Sequence, residues 1–189
     1  MTSYLLAGPA EEPVSLAEAR AFLRLDDTAE DGLVQTLIAA ARLHIEGTTA
    51  RAMLRQSWRL VLDAWPANRD IRLPVGPLAT VSALTVFDPA GDPQEVDFAD
   101  FVIDRATPRL LLPASFAPPA MRERQGIEID FVAGYGEEPA DVPADLRQAL
   151  LTLVAYWFEH RDTAHLAGAA TVVPSGVERL VANYRRMAL

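Results

Sequence analysis

No cysteine and no lysine occur in this chain. The first absence excludes disulfides and thiolate metal sites, and it fits a reducing compartment. The second leaves arginine as the sole basic residue, 17 in all. Lysine is the more usual way to keep a surface wet, so we read this bias as genome composition. Aromatic residues are scarce at 7% while half the chain is hydrophobic, and a core of Leu, Val, Ile and Ala is expected. No stretch reaches the roughly 18 consecutive apolar residues that a membrane helix needs. The opening "MTSYLLAGPAEEPVS" lacks the basic n-region of a secretory signal. A net charge of -9 opposes sequence-independent adhesion to DNA, which depends on neutralising phosphates. It is compatible with work beside DNA, because an acidic wall keeps a duplex moving.

What is present divides into zones. The 189 residues suffice for one domain, with room for a sizeable insertion. The first zone, residues 1–53, reads as helical. "VSLAEARAFLRLDD" opens on a capping-box pattern, Ser15 with Glu18, ahead of Leu16, Ala19, Phe22 and Leu23 at helical spacing. A second helix follows, with Glu30 and Asp31 in its first turn, a stripe of Leu33, Leu37, Ala41 and Ile45, and Gly47 as its stop. Two helices so closely joined should pack antiparallel.

Residues 54–133 read as β. "QSWRLVLDAW" puts Trp58, Leu60 and Leu62 on one face and Arg59 and Asp63 on the other. "IRLPVGPLATVSALTVFD" reads as a short strand, a break and a longer strand, "DPAGDP" as a turn, and "FVIDRATPRLLL" as a hairpin. In "IEIDFVAGYG" the alternation sends Ile127, Ile129 and Phe131 inward and Glu128 and Asp130 outward. Frequent proline here argues against continuous helix. A long helix over 141–163 follows, with Pro143 in its first turn and an apolar face of Leu146, Leu150, Leu153, Val154, Trp157 and Phe158. "DTAHLAGAATVVPSG" breaks it as a loop, Ser175 caps a last helix over 175–189, and Arg185 and Arg186 suit that helix's C-terminus. The expected fold is α+β, mostly α: a bundle of about four helices carrying a small antiparallel β subdomain, one domain over 1–189.

Each candidate for chemistry has a plainer explanation. Glu159, His160, Asp162 and His165 cluster in sequence, but no HExxH or facial-triad spacing joins them, and a solvated helix end accounts for them. His44 and Glu46 read as a helix flank. "VAGYGEEP" has neither the G-x-G-x-x-G fingerprint nor the G-K-[ST] of a phosphate loop, and Glu137 and Glu138 would repel a phosphate. Asp141 and Asp145 sit where acids complement a helix N-terminus. Ser175 lacks the G-x-S-x-G context of a nucleophile elbow. A recognition-helix reading of the second helix finds Arg42 as its main basic group, among Glu30, Asp31 and Glu46. No catalytic residue, metal or cofactor is expected, and the chain does not read as an enzyme.

Four segments in order nevertheless resemble the head–tail connector (adaptor) proteins of long-tailed bacteriophages and phage-derived gene transfer agents. In the first, the match rests on Leu16, Ala17, Glu18, Ala19, Leu23, Arg24, Asp31, Leu37, Ile38, Ala41, Arg42, Glu46, Leu54, Gln56 and Trp58. "IRLPVGPLATVSALTVFD" contributes Leu73, Pro74, Pro77, Val81 and Asp88. "FVAGYGEEPADVPADLRQALLTLVAYWFEHRD" contributes Ala133, Gly134, Tyr135, Gly136, Val142, Pro143, Leu146, Arg147, Ala149, Trp157, Glu159 and Arg161. The closing "VPSGVERLVANYRR" is similar to the family's last segment. Val75 departs from a commonly basic position, and His160 stands where sequences vary.

The resemblance implies a non-enzymatic ring of about twelve copies under the portal, closed by head-to-tail contacts. Such a ring extends the DNA channel and gives a platform to the next neck or tail-completion protein, at the head–tail junction of a particle built in the bacterial cytoplasm. Its partners would be sister copies, the portal above, the next neck protein below, and passing double-stranded DNA without specific binding, with no membrane. Portal contact is expected from Ser175, Val177, Leu180, Val181, Tyr184 and Arg185, with a helix folded back on its own core as the alternative. Channel-lining acids are expected at Glu128, Asp130, Glu137 and Glu138. The alternatives weighed are a small prophage-encoded DNA-binding or regulatory protein, and a metal-dependent hydrolase built on His160 and His165.

Overall fold

A computed structural model describes residues 1–160 and 173–185. Arg161, Asp162, His165, Arg186 and most of the expected 163–174 loop lie outside the described residues. The chain forms two compact units, one from Met1–Pro9 with Arg55–Tyr135, the other from Ala10–Leu54 with Gly136–Leu189. Among the described residues are four α-helices and eight strands in two antiparallel sheets, a mixed α+β fold.

The first unit is the β one. Its larger sheet has the order β1-β2-β8-β4-β5, from β1 (Thr2–Ala7), β2 (Gln56–Leu62), β8 (Ile127–Ala133), β4 (Leu78–Phe87) and β5 (Pro93–Glu95). Alternation along β8 is as the sequence predicts: Ile127, Ile129, Phe131 and Ala133 are buried, and Glu128, Asp130 and Val132 are not. β2 departs from strict alternation, since Leu60, Val61 and Leu62 are all buried and Trp58 only partly so. The "DPAGDP" turn forms because Asp88 Oδ1 accepts from the backbone N–H of Ala90, Gly91 and Asp92, while Gly91 takes the left-handed φ of 96°.

β3 (Asp70–Arg72), β7 (Arg109–Leu111) and β6 (Val102–Asp104) form the second sheet, in that order. The β6–β7 hairpin is the expected one. Its turn is held by Asp104, which accepts from Ala106 N, Thr107 N and the Thr107 hydroxyl. One strand was not foreseen. Thr2–Ala7, placed in the helical zone by sequence, instead pairs antiparallel with β2, from Thr2 opposite Val61 to Ala7 opposite Ser57. Its short polar-apolar run shows no helical period, and pairing with β2 decides its state.

The second unit is helical: α1 (Leu16–Leu23), α2 (Asp31–Thr49), α3 (Ala144–Glu159) and α4 (Ser175–Val181), with α3 packed on the other three. Ser15 caps α1 as expected, its Oγ accepting from Glu18 N at 3.1 Å. The reciprocal half of the box is absent, because the Glu18 carboxylate binds Arg147 Nη2 at 2.5 Å instead. The buried face of α2 runs through Val34, Ile38, Ala41, Ile45 and Thr49, so its first two turns face one residue later than the predicted Leu33 and Leu37. Only Ala19 of α1 is buried, and Phe22 is exposed. Gly47 does not stop α2, which ends two residues on with Ala50 in the left-handed region. α3 buries Leu146, Ala149, Leu150, Leu151, Leu153 and Val154. Each large aliphatic side chain so buried contributes roughly 1.5–3 kcal/mol.

Candidate interaction surfaces

The helical unit holds one of its charge clusters in a partly buried position. Arg42, the residue that a DNA-recognition reading of α2 would need, is nearly enclosed. It donates to Glu12 through Nε at 2.8 Å and Nη2 at 3.1 Å, and to Glu46 through Nη1 at 3.0 Å. Burial alone would lower its pKa; the Glu12 hydrogen bond and the charge of Glu46 outweigh that and raise it. Glu46 also accepts from Met53 N at 2.8 Å, tying the end of α2 to the chain that follows. An arginine so committed has little left for a phosphate.

α4 is docked on its own unit. Val177 and Val181 are 1% and 3% exposed, Leu180 and Tyr184 are half-buried, and Ser175 and Arg185 are exposed. Tyr184, in a turn of 3-10 helix over Ala182–Tyr184, donates its hydroxyl to Asp145 Oδ1 at 2.6 Å. Its carbonyl accepts from Arg51 Nε at 3.3 Å. Ser175 opens the helix as its first residue and makes no side-chain cap; Pro174 holds the cap position. In the single chain the two valines therefore belong to the core, as the folded-back alternative has it. The surface of the segment is carried by Ser175, Glu178, Arg179, Asn183 and Arg185.

Of the four acids expected at the channel, Glu128 and Asp130 lie on one face of β8, beside Arg59 of β2. Arg59 and Asp130 are cross-strand partners. The guanidinium grips Asp130 with two bonds, Nε–Oδ1 at 2.6 Å and Nη2–Oδ2 at 2.8 Å, and reaches Glu128 Oε2 at 2.6 Å through Nη1. The Asp130 bond, with the charges of both acids, raises the arginine's pKa further above its ordinary value. Two carboxylates thus share one cation, leaving a patch of one net negative charge.

Glu137 and Glu138 are exposed in the turn before α3, in the helical unit. There Glu138 and Asp141 cap one another around a short 3-10 turn. Gly136 precedes them because Asp141 fills the space a Cβ would take. Gly134 has φ of 137° and donates to Pro77 O at 2.9 Å. The glycines of "VAGYGEEP" thus serve the turn.

Elsewhere, His160 donates from Nδ1 to Tyr156 O, 2.8 Å away, and stacks on the Tyr156 ring, while His44 meets the Trp157 ring edge-on. Among the described residues no group of three or more His, Asp or Glu could hold a metal. Sequence reading missed β1, whose Tyr4, Leu5 and Leu6 are 44–46% exposed on the outermost strand. Its signal was the uncharged run "TSYLLA", bounded by Gly8 and Pro9.

No curated protein matches the chain. Solved structures do. A chain in the neck of an empty GTA particle computed with C6 symmetry is 33% identical, with TM-score 0.84, over 100% of this chain and 97% of that one. A chain in the virion of a native gene transfer agent particle is 33% identical, with TM-score 0.81 over the same shares of both chains. One in the neck of a native GTA particle computed with C12 symmetry is 32% identical, with TM-score 0.77 and again those shares. The profile of the family described as head completion protein matches residues 13–187, so the chain belongs to the head completion protein family.

Proposed function

We propose that this chain is a structural component of a particle neck, an adaptor that forms a ring of about twelve copies beneath the portal. The observation carrying the reading is full-length similarity, at 33% identity, to a chain in the neck of a GTA particle. The described residues support a protein that acts through its surfaces. Arg20, Arg42, Arg59, Arg109, Arg147 and Arg185 are paired with acids, and Glu138 and Asp141 cap one another in the turn before α3. The ring would extend the DNA channel and offer its lower face to the next neck protein. Each contact between copies would bury about 1,200–2,000 Å² if it is of ordinary size.

Portal contact is assigned to the outward side of the C-terminal segment, Ser175, Leu180, Tyr184 and Arg185, with Val177 and Val181 anchoring it from beneath. Glu137 and Glu138 are the stronger candidates for the channel wall, because Arg59 already offsets Glu128 and Asp130. Repeated around the ring, a net charge of -9 per copy favours passage of a duplex over adhesion. Particles made without this protein should show closed or leaking heads without tails by electron microscopy. Tailed particles that still deliver DNA would refute the assignment. A gel shift at low salt should find no retained duplex; salt-sensitive retention at micromolar protein would favour a DNA-binding protein instead.

A further inference from the structure

We propose that the larger sheet continues from copy to copy around the ring: the free edge of β1 pairs with the outer edge of β4, residues 78–83, of the next copy. This rests on the ring reading above. An uncovered edge strand is a template for another strand, and soluble proteins usually blunt it with charge or proline. β1 carries neither, and Tyr4, Leu5 and Leu6 are exposed along it. At the opposite edge β5 covers only Thr85–Phe87 of β4, and Val96 N bonds Leu84 O. Among the described residues no strand pairs with the outer side of 78–83, a stretch as long as β1, where Thr80 and Ser82 are exposed.

The occupant follows from symmetry and strand direction. A cyclic ring needs two different surfaces that meet head to tail, and an open sheet with unlike edges supplies them. Two β1 edges pairing with each other would close at a dimer. Every neighbour in β1-β2-β8-β4 is antiparallel, so β1 and β4 run in opposite senses. A rotation about an axis near the strand direction then brings β1 antiparallel to the next β4, the more stable pairing. Four strands per copy, about 4.8 Å apart in about twelve copies, trace roughly 230 Å, a ring about 70 Å across. The bulges in β4 and at Leu5/Ala7 bend the strands, as a closing sheet requires.

With the strand ends aligned, Leu5 lies opposite Thr80. The chain has no cysteine of its own, so in a Leu5→Cys/Thr80→Cys variant treated with a short bis-maleimide in assembled particles, any link between copies of this chain must run through these two positions. The expected result is a ladder of covalent oligomers rising past the dimer on a denaturing gel, with either single variant left monomeric. Dimers from Leu5→Cys alone would overturn the proposal, because two β1 edges would then be meeting. So would an uncrosslinked double variant in particles whose ring is visible by electron microscopy. Particles whose necks lack this ring altogether would overturn the neck reading and the edge pairing together. Leu6→Lys on β1 should reduce ring formation at least tenfold while leaving the melting curve of the free protein unchanged; full ring assembly would count against the edge.

Discussion

Each unit contains an arginine that serves two carboxylates, Arg42 in the helical unit and Arg59 in the sheet unit, and these two triads differ in depth. In the helical unit Arg42 is 11% exposed and joins Glu12 and Glu46, drawing a segment before α1 onto α2. In the sheet unit Arg59 is 29% exposed and joins Asp130 and Glu128 of the neighbouring strand, where backbone pairing already sets the register. The deep triad ties together chain segments that no strand ladder aligns. The shallow one decorates a ladder that would stand without it. Depth, more than the number of contacts, sets what such an interaction is worth.

The largest expected effect tests the deep triad. Arg42→Met leaves Glu12 and Glu46 facing each other without their cation and should cost about 3 kcal/mol, in the range for breaking a nearly buried ion pair. Urea denaturation followed by circular dichroism would measure it. A loss below about 1 kcal/mol would place this triad with surface pairs and erase the contrast. Next comes Tyr184→Phe, which strips one hydroxyl and leaves Asp145 short of a partner. The expected loss is about 1–2 kcal/mol, with faster amide exchange in α4 as its local signature, since Tyr184 is the tie between the C-terminal segment and α3. Unchanged exchange there would mean that Val177 and Val181 hold α4 alone. Arg59→Met should cost about 1 kcal/mol or less, shrinking as salt screens the two acids from each other. A salt-independent loss as large as that at Arg42 would invert the comparison.

How much of this was legible depends on whether a feature is local. The β8 alternation, the Asp88 and Asp104 turns, the Ser15 cap and the α3 face through Leu146, Leu150, Leu153 and Val154 are written within a few residues and appear where the sequence puts them, while Trp157 and Phe158, expected on that face, are only partly buried. The facing of α2 slipped by one residue at its start because Val34 and Leu33 are equally apolar, and only packing chooses between them. Glu18 abandoned its capping box for Arg147, and Arg42 chose Glu12, across separations no spacing rule reaches. β1 went unseen because a strand at the end of a chain is defined by the partner it finds. Burial of Val177 and Val181 was a choice between two faces of a short helix, which composition leaves open.

The smallest effect concerns a turn rather than a triad. The Thr107 hydroxyl, with the backbone N–H of Thr107 and Ala106 and the Arg109 guanidinium, holds the Asp104 carboxyl at about 2, below its ordinary 3.8. Between about pH 4 and 2 the unfolded chain therefore binds a proton that the folded turn resists, so this contribution to stability is whole above pH 4 and fades as the pH falls through 2. Asp104→Asn removes the anion at every pH. Thermal melts should show the wild type ahead of the variant near neutrality, the gap narrowing below pH 4 and closing near 2. Because the carboxyl lies in a surface turn, a quarter exposed and open to solvent, the gap should stay the least of the series. A gap that widened on acidification would mean the carboxylate opposes the hairpin instead of bracing it, and the β6–β7 turn would have to owe its shape to Arg109 and Thr107 alone.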